Sequence, residues 1–146
     1  MFMNSIIDIA DSLITDVIEN PSLGDIRFLK AYGASNYNPS YEGFTAVVNI
    51  DEVKRSGGFV SRLYKTNTYG EAFSAELRVR LYAGSEVSGD SLTRNAVALR
   101  EAVISADSYG FIDNSRISPI EYESGSGALY RELSFYLEYV LCEAIV

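Results

Sequence analysis

Apolar side chains recur along this chain with two periods, and the switches between them mark its elements. Between residues 4 and 19, Ile6, Ile9, Ala10, Leu13 and Val17 recur at three-and-four spacing, with Ile7, Ile14 and Ile18 widening the stripe. That spacing predicts an amphipathic helix, capped at Asn4 or Ser5 and ended by Asn20-Pro21. Leu92, Ala96, Leu99, Val103 and Ala106, with Val97 and Ile104 beside them, predict a second helix over 90–107. Asp90 or Ser91 is its expected cap, and Gly110 its expected close.

Elsewhere the period is two. Phe44, Ala46, Val48 and Ile50 alternate with polar or smaller partners, as do Phe73, Ala75, Leu77, Val79, Leu81 and Ala83. Both read as half-buried strands. A shorter strand is expected over 26–32, and another over 112–122, interrupted by Pro119 as suits an edge or a bulge. Residues 33–43 read as a loop by their turn chemistry, and Ser124-Gly-Ser-Gly127 as a hairpin turn. Asp51 to Gly70 holds no sustained period and contains Gly57-Gly58, which predicts a long protruding hairpin or loop.

The last strand is the longest. Leu133, Phe135, Leu137, Tyr139 and Leu141 point one way, and Glu132, Ser134, Tyr136, Glu138 and Val140 the other. Thirteen residues from Leu129 to Leu141 would span roughly 43 Å, against a diameter of roughly 40 Å for a compact domain of this size. Such a strand bends back at a bulge or overhangs toward an adjacent subunit, and the second outcome is expected for Val140 to Val146. Arg78 and Arg80 on the polar side of their strand are expected to pair with Glu132 and Glu138.

The order α-β-β-(long loop)-β-α-β-β predicts a single α+β domain over 1–146, a mostly antiparallel sheet with two main helices packed on one face. Composition narrows its chemistry. The chain has no histidine and one cysteine, Cys142, which excludes His-based catalysis, proton shuttling by imidazole, and thiolate zinc sites. Cys142 has an alternating-strand address and reads as an inert thiol in a reducing compartment. No apolar run is long enough to span a membrane, and the start of the chain lacks a basic region of the signal-peptide kind.

Net charge is −8 but unevenly spread. Asp8, Asp11, Asp16, Glu19 and Asp25 precede any basic residue, whereas 53–70 holds Lys54, Arg55, Arg62 and Lys65 and no acid. An acidic chain of this kind is not expected to grip DNA, although DNA could slide past it. The carboxylate pairs Asp8/Asp11 and Glu121/Glu123 read as solvated surface acids, and Gly125 and Gly127 lead into a strand rather than a phosphate-binding helix. No nucleophile has an activating base, so an enzyme is not expected. What the chain does offer is tyrosine, eleven in all without tryptophan. Tyr and Arg are enriched at interfaces. Lys54, Arg55, Arg62, Tyr64, Lys65 and Tyr69 on the hairpin, Tyr37 and Tyr41 on the other loop (with Tyr32 near it), and Val140 and Ile145 on the last strand are the candidate assembly residues. Acidic and basic patches on one chain suit head-to-tail contact, which closes into rings.

The run Ala72-Phe-Ser-Ala-Glu-Leu-Arg-Val-Arg-Leu-Tyr82, the helix around Val97-Ala-Leu-Arg-Glu-Ala102 and Ile117-Ser-Pro-Ile-Glu-Tyr122 before a long closing strand resemble the tail-terminator proteins of tailed bacteriophages. The resemblance covers element order and size over nearly the whole chain. It implies a non-enzymatic virion protein of the tail or neck, assembled in the host cytoplasm as a homohexameric ring. Its implied partners are further copies of itself, the tail tube protein and a head-side connector or stopper protein. DNA would pass through the lumen without specific binding, and no cofactor is implied. Another neck component, such as a connector or head-closure protein, and a small ligand-binding α+β domain are the alternatives.

Overall fold

In this computed structural model the described residues are 2–30, 43–60, 68–84, 86–108 and 110–144, with backbone alone at 2–7, 30, 52, 55–60, 68–72 and 139–144. Helix α1 (Phe2–Ile18) leads through a short 3-10 turn (Pro21–Leu23) into β1 (Ile26–Lys30). Strands β2 (Phe44–Val60) and β3 (Thr68–Ala83) follow, then α2 (Gly89–Ala106), β4 (Ile112–Ile117), β5 (Glu121–Glu123) and β6 (Ala128–Ala144). The sheet runs β1-β2-β3-β6-β4, with β5 also on β6. Every pairing is antiparallel except β1 with β2, so the sheet is mixed but mostly antiparallel, as expected.

Alternation decides the two faces. Phe73, Ala75, Leu77, Val79, Leu81 and Ala83 of β3 are all buried, as are Leu133, Phe135 and Leu137 of β6. Of these, Leu77, Val79, Leu81, Ala83, Leu133 and Phe135 pack against Ile14 and Val17 of α1 and Leu92, Ala96, Leu99, Ala102 and Val103 of α2. A second cluster continues the same layer toward the hairpin: Ala10 and Leu13 of α1 lie over Phe73, Ala75 and Leu137. Both helices therefore cover one face and leave the other open. Of the predicted stripes, Val97 and Ile18 stay about half exposed, at 47% and 50%, because each sits on the shoulder of its helix.

The helix ends differ in detail from expectation. Helix α1 already runs from Phe2, which puts Asn4 and Ser5 inside it. Ser88, not Asp90 or Ser91, caps α2: its hydroxyl accepts the Ser91 N–H at 3.2 Å, satisfying one of the donors a helix start leaves open. The close is Asp107 rather than Gly110. Its carboxylate accepts the N–H groups of Phe111 and Ile112 at 2.9 and 2.8 Å, turning the chain from α2 into β4. Gly110, at φ 72°, supplies the left-handed step within that turn.

The segment 51–70 is a hairpin, but far more of it is strand than its sequence suggests. Strand β2 continues to Val60 and β3 starts at Thr68. Two register shifts, between Ile50 and Glu52 and between Arg55 and Phe59, interrupt β2. The first adds one residue and flips the side-chain alternation, and the second adds two and interrupts it, which together hide a long strand from a period-two search. At the other end, the Gly43 N–H donates to the Glu86 carboxylate at 2.6 Å and Gly43 accepts the Gly84 N–H at 2.9 Å. That clip ties the entry of β2 to the exit of β3, and the Gly43 N–H holds the Glu86 pKa below the usual carboxylate value.

Strand β6 neither bends back nor swings free. Its residues from Leu129 to Ala144 pair one by one with β3 from Ala83 to Thr68, with no register shift. At about 3.3 Å per residue its 17 residues reach about 56 Å. Length is accommodated because β2 and β3 lengthen with it. The expected break at Pro119 is present: Ser118–Ile120 separates β4 from β5, and Ser118 still donates its N–H to Glu132 of β6 at 2.8 Å.

Phe135 faces the helices and is fully buried, whereas its neighbour Tyr136 faces the open side at 40% exposure. Phe135→Ala should cost about 3–5 kcal/mol in urea unfolding, and Tyr136→Ala about 1 kcal/mol or less. Equal costs would contradict the assignment of faces.

Candidate assembly surface

The open face is polar because β2, β3 and β6 each turn their non-core positions to it. Rows across the sheet place Val47, Arg80 and Glu132 together, then Asn49, Arg78 and Ser134, and then Glu52, Glu76 and Tyr136. Arg80 donates from Nε to Glu132 at 2.9 Å, and its guanidinium lies 4.9 Å from the centre of the Tyr130 ring. Tyr130 in turn packs against Tyr82, with ring centres 5.2 Å apart. Arg78 donates to Glu76 at 3.0 Å and lies 3.5 Å from Asp51 and 3.8 Å from Glu132.

The expected pairing of Arg78 and Arg80 with Glu132 is thus present, but Glu138 is not part of it. Register places Glu138 opposite Ser74 instead. Hydrogen bonding to the Tyr82 hydroxyl and then to Glu132 raises the Arg80 pKa, and the Glu76 hydrogen bond does the same for Arg78. Both stay charged at any working pH. Glu76 keeps its place at 8% exposure because Arg78 satisfies both of its oxygens, at 3.0 and 3.3 Å. A hydrogen bond to Glu121, together with burial, raises the Tyr130 pKa, so its phenol is the protonated partner.

Farther toward the hairpin, the face opens into a depression of about 190 Å³ lined by Lys54, Ser74, Ala75, Glu76, Asp113, Tyr136, Leu137 and Glu138. Lys54, Asp113 and Glu138 are exposed there. Another depression, of about 120 Å³, lies between α1 and the end of α2, where Asp16, Asp107, Ser12, Ser108, Ile9 and Phe111 meet. Both fall below the 300–1,000 Å³ typical of small-molecule pockets. Among the described residues no three of His, Cys, Asp and Glu gather in a way that could hold a metal ion, and no helix is long and apolar enough to cross a membrane.

The candidate residues from the sequence divide into two groups. Lys54 and Arg55 stand on β2 rather than in a loop, Tyr69 on β3 opposite Glu143, and Val140 on β6 opposite Ala72. Tyr37, Tyr41, Arg62, Tyr64, Lys65 and Ile145, and also Tyr32, lie outside the described residues. Cys142 occupies a strand position opposite Gly70. Glu121 and Glu123 are the ends of β5, where Glu123 accepts the Ser126 hydroxyl at 3.0 Å in the turn before β6. That turn leads into a strand, as expected.

Two features carry no sequence signal. Asp113 enters the depression because a register shift between Ile112 and Asn114 displaces it. Arg131, on the helix side opposite Leu81, donates to the Ser118 carbonyl at 2.7 Å and the Thr93 hydroxyl at 3.0 Å, and so ties α2 to the β4–β5 connection. Neither role can be read from charge alone.

The edges of the sheet complete the surface. Strand β1 pairs with β2 only along Phe44–Val48, and β4 and β5 pair with β6 only between Ala128 and Leu137. The Glu138 N–H still reaches the Phe111 carbonyl at 2.9 Å. Beyond these points, among the described residues, no strand pairs with the outer edge of β2 from Asn49 or of β6 from Tyr139. Comparison with protein-family models and with curated proteins gives no match.

A double-mutant cycle of Arg80→Ala and Glu132→Ala should give a coupling of about 0.2–1 kcal/mol, because Arg80 is 44% exposed. It should shrink in about 1 M salt. A coupling unchanged by salt would contradict a solvent-screened pair.

Proposed function

We propose that this chain is a structural subunit that assembles with copies of itself into a ring, in the manner of the tail-terminator proteins it resembles. On this reading the ring, a hexamer, caps a tail tube, stops its growth and joins it to a head-side connector or stopper protein, while DNA passes through the lumen. The protein works in the virion tail or neck, by contact and without catalysis.

The observation that carries this reading is a pair of strand edges that, among the described residues, no strand covers, on a sheet longer than a compact domain. Unpaired edges invite pairing with another chain, and here they lie on different strands at opposite sides of one sheet. Two unlike surfaces on one molecule support head-to-tail association, which closes when the rotation allows. The ion-paired open face, the uneven charge and the small size of the two depressions among the described residues agree with contact rather than turnover. Another neck or tail component would use the same surfaces, and only the partner distinguishes it.

Light scattering after size-exclusion chromatography tests the reading. A closed oligomer is expected, alone or on addition of tail tube protein. A strict monomer under both conditions, at high concentration, would contradict it.

A further inference from the structure

We propose that the copies join edge to edge, with β6 of one copy beyond Glu138 lying parallel to β2 of the next, so that the next copy's Lys54 meets Glu138 and Asp113. This inference rests on the assembly reading above and names its contact.

Direction comes first. Strands β2 and β6 are both antiparallel to β3, so they run the same way. A rotation about an axis close to the strand direction therefore brings β2 of one copy beside β6 of another as a parallel pair. In a closed ring all copies sit at one height along the axis. Groups in the same cross-strand row then meet across the joint, offset only by strand tilt. Lys54 pairs with Ser74, and Ser74 with Glu138. One row thus carries a cation at one edge of the sheet and an acid at the other.

The flanking features agree. Asp113, Glu138 and Glu76 line the depression near the β6 edge with a single cation, the same copy's Lys54, so the receiving side is acidic on balance where the incoming edge brings a further Lys54. The Glu138 N–H is turned outward, toward β4. Backbone groups alternate along a strand, so those of Val140, Cys142 and Ala144 point outward too, past the end of β4. Among the described residues no strand meets them, and a neighbour's strand would satisfy them.

Symmetric alternatives fit less well. Two-fold pairing of β6 with β6 is antiparallel and, in the register that sets Glu138 opposite Glu143, brings like charges together; two-fold pairing of β2 with β2 does the same where Lys54 meets Arg55. Like charges directly opposed disfavour both. Bulges and an edge lysine ordinarily deter strand pairing, and β2 has both. Here the lysine excludes like partners while the acids of the opposite edge accept it. Specificity through repulsion of the wrong partner is the common device.

Charge reversal decides the matter. Lys54→Glu and Glu138→Lys should each raise the concentration for half-assembly at least about tenfold, read by light scattering. The double variant should return to within about threefold of the unaltered protein. Asp113→Lys should act in the same direction as Glu138→Lys. All three side chains are exposed, so circular dichroism should be unchanged. If the unaltered protein forms a closed oligomer and the single reversals do too, at the same concentration, this contact is wrong and the assembly reading stands. Failure of the double variant to recover also overturns the contact. If the unaltered protein never assembles, the assembly reading itself falls.

Discussion

The uninterrupted ladder between β3 and β6 is the constraint on which the rest of the molecule depends. Sixteen residues of β3 face sixteen of β6 without a slip. A one-residue slip would turn Leu133, Phe135 and Leu137 to the open face and Glu132, Ser134 and Tyr136 into the core. Burial on one side and ion pairing on the other therefore hold the same register. Leu77, Val79, Leu81, Leu133, Phe135 and Leu137 are all fully buried, and each contributes roughly 1.5–3 kcal/mol by transfer from water. The Arg80–Glu132 pair adds little energy in comparison but favours one alignment.

From that ladder follow both faces and both edges. The helices cover the apolar side, where Arg131 ties α2 to the β4–β5 connection. The open side keeps Glu76 nearly buried only because Arg78 meets it. Strand β2 follows β3 outward and β6 follows it on the other side, while β1 and β4 stop short. Among the described residues this leaves two unlike strand edges uncovered, one bearing Lys54 and the other beginning just beyond Glu138. The assembly we propose grows from this asymmetry rather than from any catalytic group.

Much of this was legible in the residues. The alternation of Phe73–Ala83 and Leu133–Leu141 set the central pair, and the three-and-four spacing around Leu13 and Leu99 set the helices. Strand β2 was legible only to Ile50, since the bulge at Asp51 reverses the pattern and the two extra residues around Gly57-Gly58 interrupt it, which together imitate a loop. The parallel pairing of β1 has no local signature, because it depends on where residues far apart meet. Ser88, Asp90 and Ser91 all have side chains suited to capping α2, so the residues alone do not single out Ser88. Of the candidate surface, Lys54 could be chosen by charge, whereas Asp113 depends on a register shift and Glu138 on cross-strand rows that only three-dimensional pairing reveals. Five of the eight aromatic and basic candidates, Tyr64 and Arg62 among them, fall outside the described residues.

Amide hydrogen exchange at Val140, Cys142 and Ala144 tests most directly whether copies join through sheet edges. These groups turn away from β3 and, among the described residues, meet no strand of their own chain. Their exchange should slow markedly when the assembled protein is compared with the dissociated chain. Equal exchange in the two states would contradict the account.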